Sequence, residues 1–215
     1  FLKAGLLDRA EAALHKLEGS AFEGEALLAL LGIYERSRDW PQAKQIAQRL
    51  ENAAQGSFAT RLAHYLCEQA ATLLAQGDES SARALLEQAI ASAPQVPRPR
   101  MDLAALWTRS GQAAKACKTL TEALYAAPSA IPLIAPLLAQ SALAAGEGEA
   151  TLALLKSTYL DVPSLDVLDA IVTLEASSSE LTPTARDWYA RHLEKEPSLV
   201  AATKWIAGEK LEREA

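Results

Sequence analysis

His64 and Cys67 are the two side chains whose types and spacing best suit metal chemistry. They are three residues apart, so a helix would place them on one face, and imidazole and thiolate are typical zinc ligands. A stable zinc site needs about four ligands, however, and no other histidine or cysteine lies nearby in the sequence. We therefore expect neither a metal nor any other cofactor in this chain.

Candidates for catalysis are equally sparse. Glu147 and Glu149 could form an acid/base pair, but they flank a predicted turn and are more typical of a solvated surface. The stretch Gly146-Glu-Gly148 lacks the third glycine of a nucleotide-binding loop. Neither His-Glu-x-x-His nor Gly-x-Ser-x-Gly occurs in the sequence. The sequence thus predicts a protein that is not an enzyme.

Regular spacing of proline and of small residues indicates how the chain is organised. Four prolines are 34, 35 and 34 residues apart, and a small residue precedes each of them by twelve positions. The prolines are Pro94, Pro128, Pro163 and Pro197, and the small residues are Ala82, Ala116, Thr151 and Ala185, with Ala43 and Ala10 continuing the series towards the N-terminus. A period of about 34 residues in a helical pattern is typical of tetratricopeptide repeats (TPRs).

The period predicts an all-α fold in which TPR-type helix-turn-helix repeats stack into a right-handed superhelix. We expect about twelve helices in a single array over residues 1–215, with about six repeats and a final amphipathic helix over Leu199–Glu214. The spacing places Phe1 inside the first helix of a repeat. We therefore expect this first repeat to be truncated and further repeats to lie upstream.

Turn and capping residues agree with this repeat pattern. Glycines 77, 111 and 146 are placed to end helices, where glycine readily adopts positive φ. Candidate N-caps follow the prolines or precede second helices; they are Asp78, Ser129, Ser164, Thr182 and Ser198. Between Ala43 and Ala82 the spacing is 39 residues, so we expect a longer loop or an extended helix near residues 53–58.

Composition restricts the kind of partner. The net charge of −6 and the sequence pI near 5.2 argue against a nucleic-acid surface, which is normally basic. The two cysteines, Cys67 and Cys117, are 50 residues apart, and we interpret them as reduced thiols of a cytoplasmic protein.

One uncharged stretch has the composition of a membrane span. Residues 123–146 carry no charge, and a transmembrane helix needs about 20 predominantly apolar residues. Pro128, Pro132 and Pro136 interrupt it, and Pro128 falls on a predicted helix boundary. We therefore predict a well-buried first helix of one repeat and no membrane span.

The concave surface of the array is the candidate functional site. Four positions in the first helix of each repeat usually line such a groove, where they bind a peptide or a partner helix. The candidates are Glu25, Leu28, Glu35, His64, Cys67, Arg98, Met101, Arg109, Leu133 and Gln140. Arg98 and Arg109 beside Met101 and Leu133 favour an acidic or amphipathic protein segment. The sequence leaves a homodimer open.

Three segments resemble the lipopolysaccharide assembly protein B (LapB) family. They are Ala4–Glu11, then Leu30-Leu-Gly-Ile-Tyr34 followed by Asp39-Trp40 and Ala43, and finally Leu62-Ala-His-Tyr-Leu-Cys-Glu68. The third segment is the most specific. The resemblance covers the central TPR region of the family, over about residues 4–128 of this chain, and then fades to the repeat pattern alone.

The resemblance implies a regulatory role at the cytoplasmic face of the bacterial inner membrane. Family members carry an N-terminal membrane anchor and a C-terminal rubredoxin-like metal knuckle with two Cys-x-x-Cys pairs, and this sequence contains no Cys-x-x-Cys. The implied partners are a membrane-bound ATP-dependent protease, which degrades the deacetylase that commits precursors to lipid A, and lipopolysaccharide assembly proteins. A general envelope or pilus assembly scaffold and the TPR arm of a glycosyltransferase are the alternatives.

Overall fold

Helices joined by short turns make up the chain. The computed structural model describes residues 7–53, 57–176 and 183–214, with the side chains of all of these except 183–185 and 207–214. No strand occurs in those ranges, which contain twelve α-helices: α1 (Leu7–His15), α2 (Glu23–Ser37), α3 (Trp40–Asn52), α4 (Ala59–Ala75), α5 (Glu79–Ser92), α6 (Arg98–Arg109), α7 (Ala113–Ala126), α8 (Ile131–Ala145), α9 (Gly148–Asp161), α10 (Leu165–Glu175), α11 (Pro183–Lys195) and α12 (Leu199–Glu214). The predicted all-helical class and helix number are confirmed.

Two compact units divide the chain, Phe1–Leu103 and Ala104–Ala215, and the boundary falls within α6. In the first unit α2 packs against α3, α3 against α4 and α4 against α5. In the second, α8 packs against α7, α9 and α10, and α11 packs against α12. Within each unit these helices pack mainly against helices that are close in sequence, as expected for stacked helix pairs. The single continuous array stays a prediction.

The small residues that set the period are buried in the structure. Ala43, Ala82 and Ala116 are completely buried, and Thr151 is nearly so. A larger side chain would hold the two helices of a repeat apart, because protein interiors are close-packed. The predicted burial is confirmed at these four positions, whereas the side chain of Ala185 lies outside the described residues.

Most of the predicted turn and cap residues act as expected. Gly77, Gly111 and Gly146 all have positive φ at the turns. The carboxylate of Asp78 accepts a hydrogen bond from the Ser81 amide at 3.0 Å, and Ser164 accepts one from the Val167 amide at 3.2 Å. Both therefore satisfy amide groups that the first helical turn leaves free. The predicted cap Thr182 lies outside the described residues.

The capping prediction is wrong at Ser129. This serine lies in a 3-10 turn, Pro128–Ala130, and α8 starts after it without a side-chain cap. Pro132 occupies the first turn of α8. Proline has no amide proton to be satisfied and its φ already suits a helix, so α8 can begin without a capping hydroxyl.

The extra residues between the second and third repeats form an inter-helix connection. The helix α3 ends at Asn52 and α4 begins at Ala59, so the described residues of this segment extend neither helix. Phe58 is buried with the core residues of the first unit, and its amide donates a hydrogen bond to Glu51. The expected longer loop is therefore anchored where it enters α4.

Several polar contacts join residues that are one repeat apart. In the first unit Arg98 Nη1 lies 2.8 Å from His64 Nδ1, 34 residues away. In the second, Tyr159 Oη lies 2.7 Å from Nδ1 of His192, 33 residues on, and Cys117 Sγ lies 3.9 Å from the hydroxyl of Thr151. These contacts link successive repeats side chain to side chain.

The uncharged stretch forms α8 and the 3-10 turn before it. By length and composition Pro128–Ala145 could cross a membrane. Its residues Ile131, Ile134, Leu138 and Ala142 are buried, and α8 packs against α7, α9 and α10. Packing inside the second unit therefore covers one side of this helix, so the predicted well-buried helix is buried on that side only.

Candidate partner-binding surfaces

A charged cluster lies on the first unit, where α4 faces the start of α6; we define the Arg98 cluster as His64, Glu68, Arg98 and Asp102. Arg98 Nη2 donates to Glu68 Oε1 at 2.6 Å, and its Nε lies 3.5 Å from Asp102 Oδ2. His64 Nδ1 is the third partner of this guanidinium. Two carboxylates and an imidazole thus surround one cation.

Aromatic rings border the Arg98 cluster. Trp40 stacks on Tyr65 with ring centroids 6.0 Å apart, and it meets His64 edge to face at 5.5 Å. The hydroxyl of Tyr65 donates a hydrogen bond to Glu35, whose carboxylate also lies 3.8 Å from Arg61. Glu35 and His64, both predicted groove residues, therefore lie on one continuous surface of the first unit.

The structure differs from the prediction at Cys67. Its side chain is only 1% exposed, so it cannot contact a partner at the surface. Burial, together with the neighbouring Asp102, raises the pKa of the Cys67 thiol to about 12. Cys67 is therefore a protonated core thiol at neutral pH. The three-residue spacing between His64 and Cys67 does not predict this burial, because one side chain of the pair is exposed and the other is buried in the core.

Burial also acts on Asp102 itself. It raises the pKa of this carboxyl group, while Arg98 and a hydrogen bond from Cys67 oppose the shift. Burial has the largest effect on the carboxyl, because a low-dielectric environment disfavours the charged form.

These contacts alter the prediction for Arg98. Its positive charge is compensated by Glu68 and Asp102, so little of it is left to attract an acidic segment. Arg109, the second predicted basic residue, is an exposed residue at the end of α6 in the other unit. The charge of Arg98 therefore no longer favours an acidic partner segment at this position.

The remaining groove candidates of the first unit vary in exposure. Glu25 and Leu28 are exposed on α2, and Met101 is half-buried on α6. Among the described residues, no group of three or more His, Cys, Asp or Glu side chains could hold a metal ion.

An exposed apolar surface lies on α8 in the second unit. Leu133 is 63% exposed, and Leu137 and Leu143 are exposed as well. Gln140 is exposed on the same side of the helix. We call this surface the α8 face; it consists of Leu133, Pro136, Leu137, Gln140, Leu143 and Ala144. The predicted candidates Leu133 and Gln140 therefore share one uncharged surface.

Sequence reasoning missed Leu137 and Trp40 as surface residues. The four-position rule selects Leu133 and Gln140 on α8 and passes over Leu137, although it lies four residues after Leu133 and hence on the same side. The signal was present in the helical spacing. The ring of Trp40 borders the half-exposed His64.

The comparisons with known proteins agree with this repeat structure. The tetratricopeptide repeat family matches residues 73–141. Lipopolysaccharide assembly protein B from Escherichia coli K12 is 31% identical over 121 residues, which are 56% of this chain and 31% of that protein. The predicted resemblance is confirmed. The match from Haemophilus influenzae is 30% identical over 129 residues, 60% of this chain and 32% of that protein.

The chain therefore spans about a third of the length of the curated relatives that it matches. Among solved structures, the MamA protein has a TM-score of 0.49 at 14% identity, covering 81% of this chain and 92% of that one. TTC0263, a TPR protein of Thermus thermophilus, has a TM-score of 0.40 at 18% identity, covering 81% and 94%. The family match and the helix pairs together confirm the TPR fold.

Proposed function

We propose that this chain is a non-enzymatic scaffold that binds protein partners in lipopolysaccharide assembly. The observation that carries the proposal is the 31% identity to a protein named for that process. The exposed α8 face supports a binding role, because a large apolar patch on a soluble protein often marks an interaction site. The proposed scaffold role requires neither a metal nor another cofactor in this chain.

We further propose that the protein acts at the cytoplasmic face of the bacterial inner membrane. There it helps a membrane-bound ATP-dependent protease to degrade the deacetylase that commits precursors to lipid A. The support for this role is the family resemblance. An array of this kind contributes recognition, whereas the regulatory output depends on being held beside the protease, since tethering raises the effective concentration of the partners.

Complementation tests this function. Residues 1–215 are expressed in Escherichia coli that lacks lipopolysaccharide assembly protein B, with and without an added membrane anchor and C-terminal metal knuckle, and deacetylase abundance is followed by immunoblotting. We expect the soluble chain alone to fail and the anchored, completed protein to restore turnover. Restoration by the soluble chain would overturn the tethering argument.

A matched variant separates binding from expression. The double substitution Leu133→Ser/Leu137→Ser removes two leucines of the α8 face, and Leu160→Ser removes one that is 68% exposed on α9. In the anchored protein we expect the double variant to lose capture of lipopolysaccharide assembly proteins and Leu160→Ser to keep it. Equal capture by both would exclude the α8 face from the binding surface.

A further inference from the structure

Helix α8 is apolar on both sides, and only one side is covered. Ile131, Ile134, Leu138 and Ala142 are buried within the second unit, whereas the α8 face is exposed. An amphipathic helix normally presents polar residues on its solvent side. Three exposed leucines within one helix are therefore a feature that packing inside the unit does not explain.

The size of the α8 face suits a helical partner. From Leu133 to Ala144 the face extends over about three helical turns, or roughly 17 Å. Leucines at this spacing accept the apolar side chains of a second helix, which lie on one side at intervals of three and four residues. Gln140 is the polar group within this surface.

The charge around the face identifies the kind of partner. The helices from α7 to α10, over residues 113–175, carry seven acidic residues and three basic residues. The acidic residues are Glu122, Glu147, Glu149, Asp161, Asp166, Asp169 and Glu175. Of the basic residues, Lys115 and Lys118 lie on α7, and Lys156 is paired with Glu175 at 2.6 Å. The helices around the α8 face therefore carry more acidic than basic residues.

Three of these acidic residues lie on α10, the helix beside α8. The helix α10 packs directly against α8 and carries Asp166 in its first turn. Asp169, one turn later, is held by the hydroxyl of Tyr189 at 2.5 Å and by Lys204. Its charge is thus compensated, whereas Asp166 is exposed. Asp166 is thus an exposed carboxylate on the helix that packs against α8, and it is the residue that the test below reverses in charge.

The same charges disfavour two other occupants. Anionic lipid headgroups attract basic segments, so an acidic surround opposes membrane binding. A second copy of the chain would bring two regions of like charge together, at a separation where physiological salt screens them only in part.

We propose that the α8 face binds an amphipathic helix of a partner protein that has leucine-like side chains on one side and lysine or arginine at its flanks. This inference rests on the proposed scaffold function and names the chemistry of the partner. The apolar contact provides the affinity, and the acidic surround selects basic over acidic helices.

A synthetic peptide pair tests the proposal directly. The basic probe is a fluorescein-labelled helix with leucines on one side and lysines at the flanks; the acidic probe has glutamate at each lysine position. Binding to the 215-residue chain is measured by fluorescence anisotropy at low and at physiological salt. We expect saturable binding of the basic probe, weakened by salt, and affinity for the acidic probe at least tenfold lower.

Variants assign the site. Leu133→Ser/Leu137→Ser should weaken the basic probe about tenfold, while the control Leu160→Ser leaves it unchanged and circular dichroism shows equal helix content in all three proteins. Asp166→Lys should weaken the basic probe several-fold, and the control Glu194→Lys, an exposed residue of α11, should do so less.

The outcomes that overturn the proposal are distinct. Equal affinity for the two probes would remove the charge selection. Binding of anionic vesicles that the leucine substitutions abolish would assign the face to a membrane, and a dimer that they dissociate would assign it to a second copy. If both probes fail while lipopolysaccharide assembly proteins are still captured, the scaffold function stands and this inference alone falls.

Discussion

Asp102 lies at the point where the Arg98 cluster meets the core. It contacts the buried thiol of Cys67 on one side and the guanidinium of Arg98 on the other. Burial raises the pKa of its carboxyl above 3.8 in the folded chain. The folded chain therefore binds a proton at Asp102 more readily than the unfolded chain does. The contribution of Asp102 to stability falls as the pH rises through the interval between its pKa in the unfolded chain and its pKa in the folded chain.

The first prediction follows from this sign. Asparagine resembles the protonated carboxyl group, so Asp102→Asn should gain stability relative to the parent as the pH is raised from about 3.5 to about 6. Urea midpoints measured across this range test it, with the exposed Asp8→Asn as the control. A variant that loses stability relative to the parent over the range would mean that the Arg98 ion pair outweighs burial.

Ala116 provides a second prediction at the residue scale. It is completely buried on α7, and leucine would overpack the crossing and cost about 1–3 kcal/mol of unfolding free energy. Ala114→Leu, at an exposed position of the same helix, should cost much less. Equal urea midpoints for Ala116→Leu and the parent would show that the repeat phase is misplaced.

At the scale of the element, two similar Pro-Ser sequences begin their helices differently. Ser164 caps α10 through the Val167 amide, whereas Ser129 lies in the 3-10 turn before α8 and caps nothing there. Ser164→Ala should therefore cost about 1 kcal/mol, and Ser129→Ala should leave the unfolding free energy within experimental error. Thermal unfolding of the two variants measures this difference. Equal losses of unfolding free energy in Ser164→Ala and Ser129→Ala would contradict the capping assignment.

The same pair shows what the sequence can predict. Pro and Ser recur at the right spacing, so the existence and phase of helices α8 and α10 follow from the period. Whether a serine hydroxyl reaches an amide depends on the next residues. Pro132 removes the need for a cap in α8, and no regular spacing encodes that.

The candidate surfaces were less predictable than the helices. Helical positions placed Leu133 and Gln140 on one exposed side of α8, since both follow from the register of a single helix. The environment of Arg98 did not follow, because Glu68 approaches it from another repeat. Side-chain pairing between repeats depends on packing distances that spacing along the chain does not contain.

At the scale of the whole molecule, stability should be transmitted from repeat to neighbouring repeat. In stacked repeats each repeat contacts only its neighbours. The packing of α8 against α7 and α10 is an example. Leu120→Ala removes a buried side chain of α7 and should cost about 2–5 kcal/mol. Amide exchange measured by mass spectrometry should increase most in α7 and α8 and least in α12.

The control for this experiment is Lys118→Ala, an exposed residue of the same helix, which should leave exchange in all these helices unchanged. A uniform increase from α7 to α12 after Leu120→Ala would indicate that the second unit opens as one cooperative body rather than by neighbouring repeats.

The contacts between residues one repeat apart have a consequence for how such a chain can evolve. Tandem duplication of a repeat places identical residues in successive copies, so a copy of the repeat that holds Arg98 would set arginine against arginine where Arg98 now meets His64. A copied His192 would meet histidine instead of Tyr159. The repeats of this chain have therefore diverged as matched neighbours, and their order along the chain can no longer be shuffled without breaking these pairs.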